Sequence, residues 1–255
     1  MSEFIKVSVE DSVQVIRMAR AEKKNALNTA MYEALNAAFA EGEANPGIRV
    51  RAIFGGDGVF TAGNDIADFM EAGEKGAEVT APVLAFLRSL IFTEKPTIAG
   101  VDGLAIGVGT TLLFHCDLIY ATPESVFVTP FLDLGLVPEA ASSLLAPRRM
   151  GYAGAFALLV AGKPLTAEAA LRAHLVNMIV PRENLEKHTL AVAAKLAAKP
   201  PHALALSRKL LRSDPEEVWQ RVEEEARLFG ECLRSGEARE AFQAFMAKSA
   251  AATVH

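Results

Sequence analysis

The sequence predicts an α/β fold in which short apolar strands alternate with helices and a helical stretch closes the chain. Three observations carry this. Residues 4–9 and 13–18, FIKVSV and VQVIRM, alternate apolar and polar side chains around Glu10-Asp11-Ser12, the period-2 pattern of a β-hairpin. Val50–Phe54 and Thr97–Val101 are short, mostly apolar runs that lead into glycine-rich turns, as buried parallel strands do. From Leu144 onward the pattern is helical, which gives strands and helices in alternation followed by helices alone.

The elements follow in order. Asn28-Thr29 caps a helix whose Met31, Leu35, Ala38 and Phe39 share one face. The strand Val50–Phe54 ends in Gly55-Gly56-Asp57-Gly58, a turn cluster. Residues 71–80 are polar and contain glycine, which predicts a mobile loop. Thr97–Val101 runs into Asp102-Gly-Leu-Ala-Ile-Gly-Val-Gly109 and then an apolar helix through Phe114. Leu118–Ala121 and 126–129 are two further strands around Thr122-Pro-Glu-Ser125. Helices are expected over 141–161, 166–173, 182–198, 202–212, 215–234 and 236–248, with a strand at 177–180. Pro200-Pro201 marks a joint, dividing the chain into a core of residues 1–199 and a helical part of residues 200–255.

Composition excludes several function classes. With 255 residues, 51% hydrophobic and 22% charged, the chain can bury a sizeable core. A net charge of −5 without a basic block argues against nucleic acid. The start, MSEFIKVSVE, has no signal-peptide pattern, and no apolar run is long enough to span a membrane. Only Cys116 and Cys232 are present, which suits a reducing compartment. A soluble, cytoplasmic protein is expected.

Two glycine turns draw notice. Phe60-Thr-Ala-Gly-Asn-Asp-Ile66 and Gly103-Leu-Ala-Ile-Gly-Val-Gly109 each follow a strand. Glycine lets backbone come close to a ligand, and the first amides of a helix are unpaired donors. Two such turns converging would form an oxyanion hole. For either turn alone a packing device is the stronger reading, and neither fits a dinucleotide or phosphate-loop fingerprint.

Taken together, six segments resemble the crotonase, or enoyl-CoA hydratase/isomerase, family: Lys24-Asn-Ala-Leu-Asn28, Phe60–Ile66, the run from Pro96 to Gly107, Cys116-Asp-Leu-Ile-Tyr-Ala121, Gly135-Leu-Val-Pro138 and Gly162-Lys-Pro-Leu-Thr-Ala-Glu-Ala169. The resemblance implies a spiral of ββα units with C-terminal helices that trimerise, as a homotrimer or a dimer of trimers. It implies an acyl-CoA thioester as substrate, with CoA part of that substrate and no separate cofactor or metal. By position the oxyanion donors are the backbone amides of Asn64 and Val108; many members have glycine at the second place, so valine is expected to narrow the pocket. The resemblance further places Lys24, Ala26, Ala62, Gly63, Asn64, Asp65, Ile66, Gly107 and Phe131 at the CoA or substrate site. Asp65 is expected to brace its loop through backbone hydrogen bonds.

The acids decide the reaction. Family hydratases use two glutamates; at their positions this chain has Thr111 and, after Pro130, Phe131. A phenylalanine can neither hold nor activate water. Glu139 directly follows Pro138, where the family's Δ3,Δ2-enoyl-CoA isomerases carry their single acid. On its residues alone, Pro138-Glu139 reads better as a helix start than as a catalytic acid; the family position and the loss of both other acids reverse this in favour of catalysis. Apolar neighbours such as Phe131, Leu134, Leu136 and Val137 would raise the pKa of Glu139 towards neutrality. The expected activity is therefore an enoyl-CoA isomerase. Two alternatives stay open: an enoyl-CoA hydratase or another thioester-enolate reaction of the family, and a non-catalytic acyl-CoA-binding subunit. His115-Cys116 reads as a helix-end core pair, Asp133 as solvated, and Ser142 and Ser143 as small helix-start residues.

Overall fold

Between Val50 and Val128 consecutive strands of this chain do not pair with each other; they alternate between two sheets. The computed structural model describes residues 3–56, 58–65 and 77–252. The hairpin is as expected, β1 (Ile5–Glu10) pairing antiparallel with β2 (Val13–Met18). Helix α1 (Thr29–Ala44) follows, its first turn capped by the Asn28 side chain, which accepts from the Met31 amide at 3.0 Å. Strand β3 (Val50–Phe54) joins β2 in the large sheet, and β4 (Val59–Thr61) turns into the small one. Helix α2 (Ala77–Phe92) leads back to β5 (Thr97–Val101) in the large sheet, beside β3. Strand β6 (Leu104–Ile106) lies in the small sheet beside β4, and the short helix α3 (Val108–Thr111) follows it. The same move recurs with β7 (Leu118–Ala121), β8 (Val126–Val128) and helix α4 (Ser142–Leu159). Strand β9 (Leu165–Thr166), helix α5 (Ala167–Arg172) and strand β10 (Met178–Ile179) complete the sheets. Their orders are β1-β2-β3-β5-β7-β10 and β4-β6-β8-β9, and the chain winds as a spiral of ββα units. Helices α6 (Arg182–Ala197), α7 (Pro201–Leu211), α8 (Pro215–Leu233) and α9 (Gly236–Ala252) close the chain.

Polar side chains stitch the sharp corners between the sheets. Asp102, at the β5–β6 corner, accepts from the Gly58 amide at 2.7 Å, from Thr122 Oγ1 at 2.9 Å and from Arg182 Nε at 3.0 Å. The next residue, Gly103, has φ +73°, and a Cβ there would stand 1.8 Å from the Gly58 carbonyl oxygen. Only glycine fits. This close approach keeps β4 and β6 in register, which matters because their two C-terminal ends carry the glycine turns.

Five expectations are corrected. Residues 77–80 are the start of α2 and not part of a loop; further along that helix Phe86, Leu87, Leu90 and Ile91 are buried in the core, and this face holds the helix in place. Residues 71–76 lie outside the described residues. The run 103–109 is not one turn, because β6 interrupts it, and the helix expected through Phe114 ends at Thr111 and tightens into a 3₁₀ turn over Leu112–His115. The helix expected over 141–161 is broken at Gly151, where φ 73° and ψ 161° are not helical. Pro138 does not start that helix: the first helical residue is Ser142, and Glu139 lies in the loop before it. Trp219 and Phe229 pack against the core and Phe242 is buried in it; the side chain of Phe245 lies outside the described residues. Among the described residues no helix is long and apolar enough to cross a membrane.

Candidate active site

The Lys24–Asn28 segment and the Phe60–Asp65 turn are zipped together by backbone. The Leu27 amide donates to the Gly63 carbonyl at 2.8 Å, the Asp65 amide to Leu27 at 2.8 Å, and the Ala62 amide to Lys24 at 2.9 Å. Asn25, buried and at φ 55°, anchors the join: its Nδ2 donates to the Val59 carbonyl at 2.9 Å, and its own carbonyl accepts from Thr61 Oγ1 at 2.6 Å. Because the bonds of this bridge leave from the residues on either side of Asn64, the Asn64 amide faces the other way. It has no hydrogen-bond partner among the described residues.

The second turn approaches the first along β4 and β6. A Cβ on Gly63, at φ +88°, would lie 2.7 Å from the Ile106 carbonyl oxygen and 3.9 Å from Gly107 Cα, so the two turns touch. Gly107, at φ 55° and ψ −120°, caps α3 with the open conformation that glycine adopts freely. It has nothing within 4 Å of where a Cβ would be. Its amide donates to the Val128 carbonyl at 2.8 Å, while the Val108 amide, first in the helix, is unpaired among the described residues. The valine side chain is 1% exposed and packs in the core.

Glu139 joins these turns through two neighbours. Thr111 Oγ1, three residues beyond Val108 on α3, donates to Glu139 Oε1. The buried Tyr32 hydroxyl donates to Asn64 Oδ1 at 2.5 Å. Its pKa is pushed well above the usual phenol value, first by burial and then by the negative charge of Glu139. Glu139 retains some accessible surface but is densely enclosed by protein, as a group at the bottom of a cleft is. That enclosure raises its pKa to about 8; the Thr111 hydrogen bond opposes the shift and the nearby carboxylate of Glu225 adds to it. The expected rise is present, with a contribution from a residue the sequence reading did not single out.

The other expected residues are distributed as follows. Lys24 is exposed, and Ala26 and Ala62 are half-buried around the zipped segment. Asp65 is braced by an ion pair, Arg20 Nη1 to its Oδ2 at 2.7 Å, and its amide donates to the Leu27 carbonyl; the ion pair adds to the backbone hydrogen bonding expected. Ile66 lies outside the described residues. Phe131 is buried in the core cluster. Asp133 is exposed. Cys116 is buried, with its thiol pushed up to about 12 by burial and the charge of Asp117, so it is no nucleophile at neutral pH.

Sequence reasoning missed His115 and Glu225 as parts of this region. His115 Nε2 contacts the Ala140 carbonyl at 2.8 Å, and burial lowers its pKa to about 4. The neutral ring therefore donates this bond. Glu225 Oε2 accepts from the Ala141 amide at 2.6 Å, and Oε1 accepts from the Ser143 amide at 3.0 Å. One signal was available: Glu225 falls in line with Val218 and Val222 on the buried face of α8, where a carboxylate needs a partner.

Two unpaired amides at touching turns, with one proton-active carboxyl hydrogen-bonded from the helix of the second turn, make a site suited to polarising a carbonyl and moving a proton beside it. Residues 8–252 match the family model described as enoyl-CoA hydratase/isomerase. The chain belongs to the enoyl-CoA hydratase/isomerase family. It is 34% identical over 229 residues to enoyl-CoA delta isomerase 2 of Rattus norvegicus, a match that covers 88% of this chain but only 58% of that longer protein. It is 33% identical to a probable enoyl-CoA hydratase of Rhodobacter capsulatus, over 96% of this chain and 95% of the relative. Its fold matches the crystal structure of an enoyl-CoA hydratase/isomerase from Pseudoalteromonas atlantica T6c at a TM-score of 0.91 and 37% identity, covering 96% and 98% of the two chains.

Proposed function

We propose that this protein is an enoyl-CoA isomerase that converts a 3-enoyl-CoA to the 2-enoyl-CoA with Glu139 as its one acid and base. The observation that carries the proposal is the enclosed carboxyl of Glu139, raised in pKa and hydrogen-bonded by Thr111 at the place where a hydratase would have a second acid. The thioester oxygen is held by the Asn64 and Val108 amides. Ionised Glu139 takes a proton from the α-carbon, and the electron pair moves into the thioester to give a dienolate with its charge on that oxygen. Glu139, now protonated, returns the proton at the γ-carbon as the pair moves back, leaving the double bond between the α- and β-carbons. No water enters the balance, and neither Thr111 nor Phe131 can activate one. A carboxyl near pKa 8 suits the task, because it must both take and give the proton at close to neutral pH.

A second reading, hydration of a 2-enoyl-CoA, is favoured by the full-length likeness to the Rhodobacter capsulatus relative. Assaying the purified protein against a 3-enoyl-CoA and a 2-enoyl-CoA separates the two. The isomerase reading expects double-bond migration with hydration at least about 100-fold slower; hydration as the faster reaction overturns it. Binding of acyl-CoA without turnover of either would leave the non-catalytic alternative.

A further inference from the structure

The proposed proton transfer makes no use of Glu225, although this residue on α8 is only 4% exposed and lies 86 positions beyond Glu139 in sequence. We infer that Glu225 is a positioning residue that aims Glu139 by clamping the strained turn that follows it, an inference that rests on the reading of Glu139 given above. Ala140 and Ala141, next along the chain, have φ 58° and 55°. Two successive non-glycine residues in the left-handed region are disfavoured by contact between Cβ and the following carbonyl. Such a turn persists only where its surroundings over-determine it.

Those surroundings are specific. Both oxygens of Glu225 are taken by main-chain donors, the amides of Ala141 and Ser143, at 2.6 and 3.0 Å. Ala141 occupies the capping position of α4 but has no side chain able to cap it. Glu225 supplies from a distant helix what a local aspartate or serine ordinarily supplies. On the other side of the turn, His115 holds the Ala140 carbonyl at 2.8 Å. Both alanines are buried with 1% exposure or less, so the turn is fixed by packing as well as by hydrogen bonds. Glu139 immediately precedes this turn, so a change in φ or ψ at Ala140 swings its carboxyl away from Thr111.

Each oxygen of the clamp receives an N–H, which favours the ionised carboxylate and opposes the burial that raises its pKa to about 7. The charges facing it are Arg221 on its own helix, which attracts it and also donates from Nη1 to Ser143 Oγ at 3.1 Å, and Glu139 across the turn, which repels it. Glu225 thus has two separable effects on Glu139: it sets the position through the backbone and raises the pKa through its charge.

The test is the variant E225Q, alone and combined with A141G. Glutamine keeps the shape of the side chain but sets an NH2 group against one of the two amide donors and removes the charge. The expected result is a kcat for 3-enoyl-CoA isomerisation lower by about tenfold or more with KM within about twofold, as for a misplaced catalytic group. The acid limb of the pH–rate profile should move to lower pH, and the Glu139 carboxyl should leave Thr111 in the variant's crystal structure. Glycine takes the left-handed conformation without a clash, so E225Q/A141G should regain most of kcat while keeping the pH shift. Unchanged kcat with Glu139 still on Thr111 in E225Q overturns the inference. If E225Q does not fold but the double variant folds and turns over, the clamp's task is the turn, as inferred; if neither folds, Glu225 is a packing residue and the inference falls. Should the wild-type protein isomerise no 3-enoyl-CoA, the functional reading fails by itself, and the crystal structures of wild type and E225Q still decide whether Glu225 holds the side chain in place.

Discussion

Thr111 hands a hydrogen bond to Glu139 from the helix that begins with the Val108 amide. One short helix thereby carries both a proposed carbonyl-binding donor and the hydroxyl that orients the acid. The bond stabilises the carboxylate and so works against the burial that raises its pKa. Replacing Thr111 by valine keeps the volume and removes the donor. The Glu139 pKa should rise further, and isomerisation at pH 7 should fall by about 3- to 10-fold, a deficit that narrows as pH rises. A pH–rate comparison of T111V with wild type checks this; an equal deficit at every pH would contradict it.

The wild-type profile follows from the same group. Glu139 must be ionised to take the α-proton, and its pKa is about 8, so kcat/KM should climb as pH rises from 6 and level off above that value. Glu225, near 7, titrates in the same range and is coupled to it, so the measured limb belongs to the pair. A profile flat between pH 5 and 9 would show that no raised carboxyl controls the rate.

Stability should carry the same signature. Both carboxyls have folded-state pKa values above their ordinary range, so the native state holds their protons more tightly than the unfolded chain does. The stabilisation is fully present below the unfolded value of 4.5 and is lost as pH rises through about 7 to 8. E139Q removes one of these groups. Measured by denaturant unfolding, it should gain stability relative to wild type on going from pH 5 to pH 9, on the order of 1–3 kcal/mol. No change in that difference would mean that Glu139 is well solvated.

The glycine turns allow a steric test. Alanine at Gly63 would place Cβ 2.7 Å from the Ile106 carbonyl oxygen and disturb the contact between the two turns. At Gly107 there is open space, and only the backbone angles resist. G63A should therefore lose more stability than G107A, by about 1–2 kcal/mol. Both should lose isomerase activity, because each moves a donor amide. Thermal melts and single-substrate kinetics read the two effects separately.

Helix α7 presents Leu210 and Leu211 at 86% and 87% exposure, at the end of the helix that starts from the joint at Pro200-Pro201. We propose that this surface is covered by another copy of the chain in a trimer. Sedimentation should give three times the 27.2 kDa chain mass, or six times for a dimer of trimers, and L210D/L211D should lower it. A monomeric wild-type protein would contradict the proposal.

Much of the fold is legible in the sequence because its signals are local. The hairpin, the strands Val50–Phe54 and Thr97–Val101 and most of the later helices follow from periodicity and turn residues. The three-residue strands β4 and β6 of the small sheet are too short to show a period, and β6 sits inside a glycine run that suggests a turn. Glu139 is noticeable as an acid in an apolar stretch, but its setting is not. The turn that holds it uses two alanines where glycine would have marked the conformation, and its clamp comes from 84 residues beyond Ala141. Such strain is visible only when both partners are in place.

The most direct measurement is the turnover of a 3-enoyl-CoA by E139Q, beside its affinity for a saturated acyl-CoA. Glutamine preserves the shape of the cleft and removes the only group proposed to move the proton. The account predicts a kcat lower by about 10²- to 10⁴-fold with acyl-CoA affinity within a few-fold of wild type. An E139Q enzyme that still shifts the double bond at near the wild-type rate would contradict it.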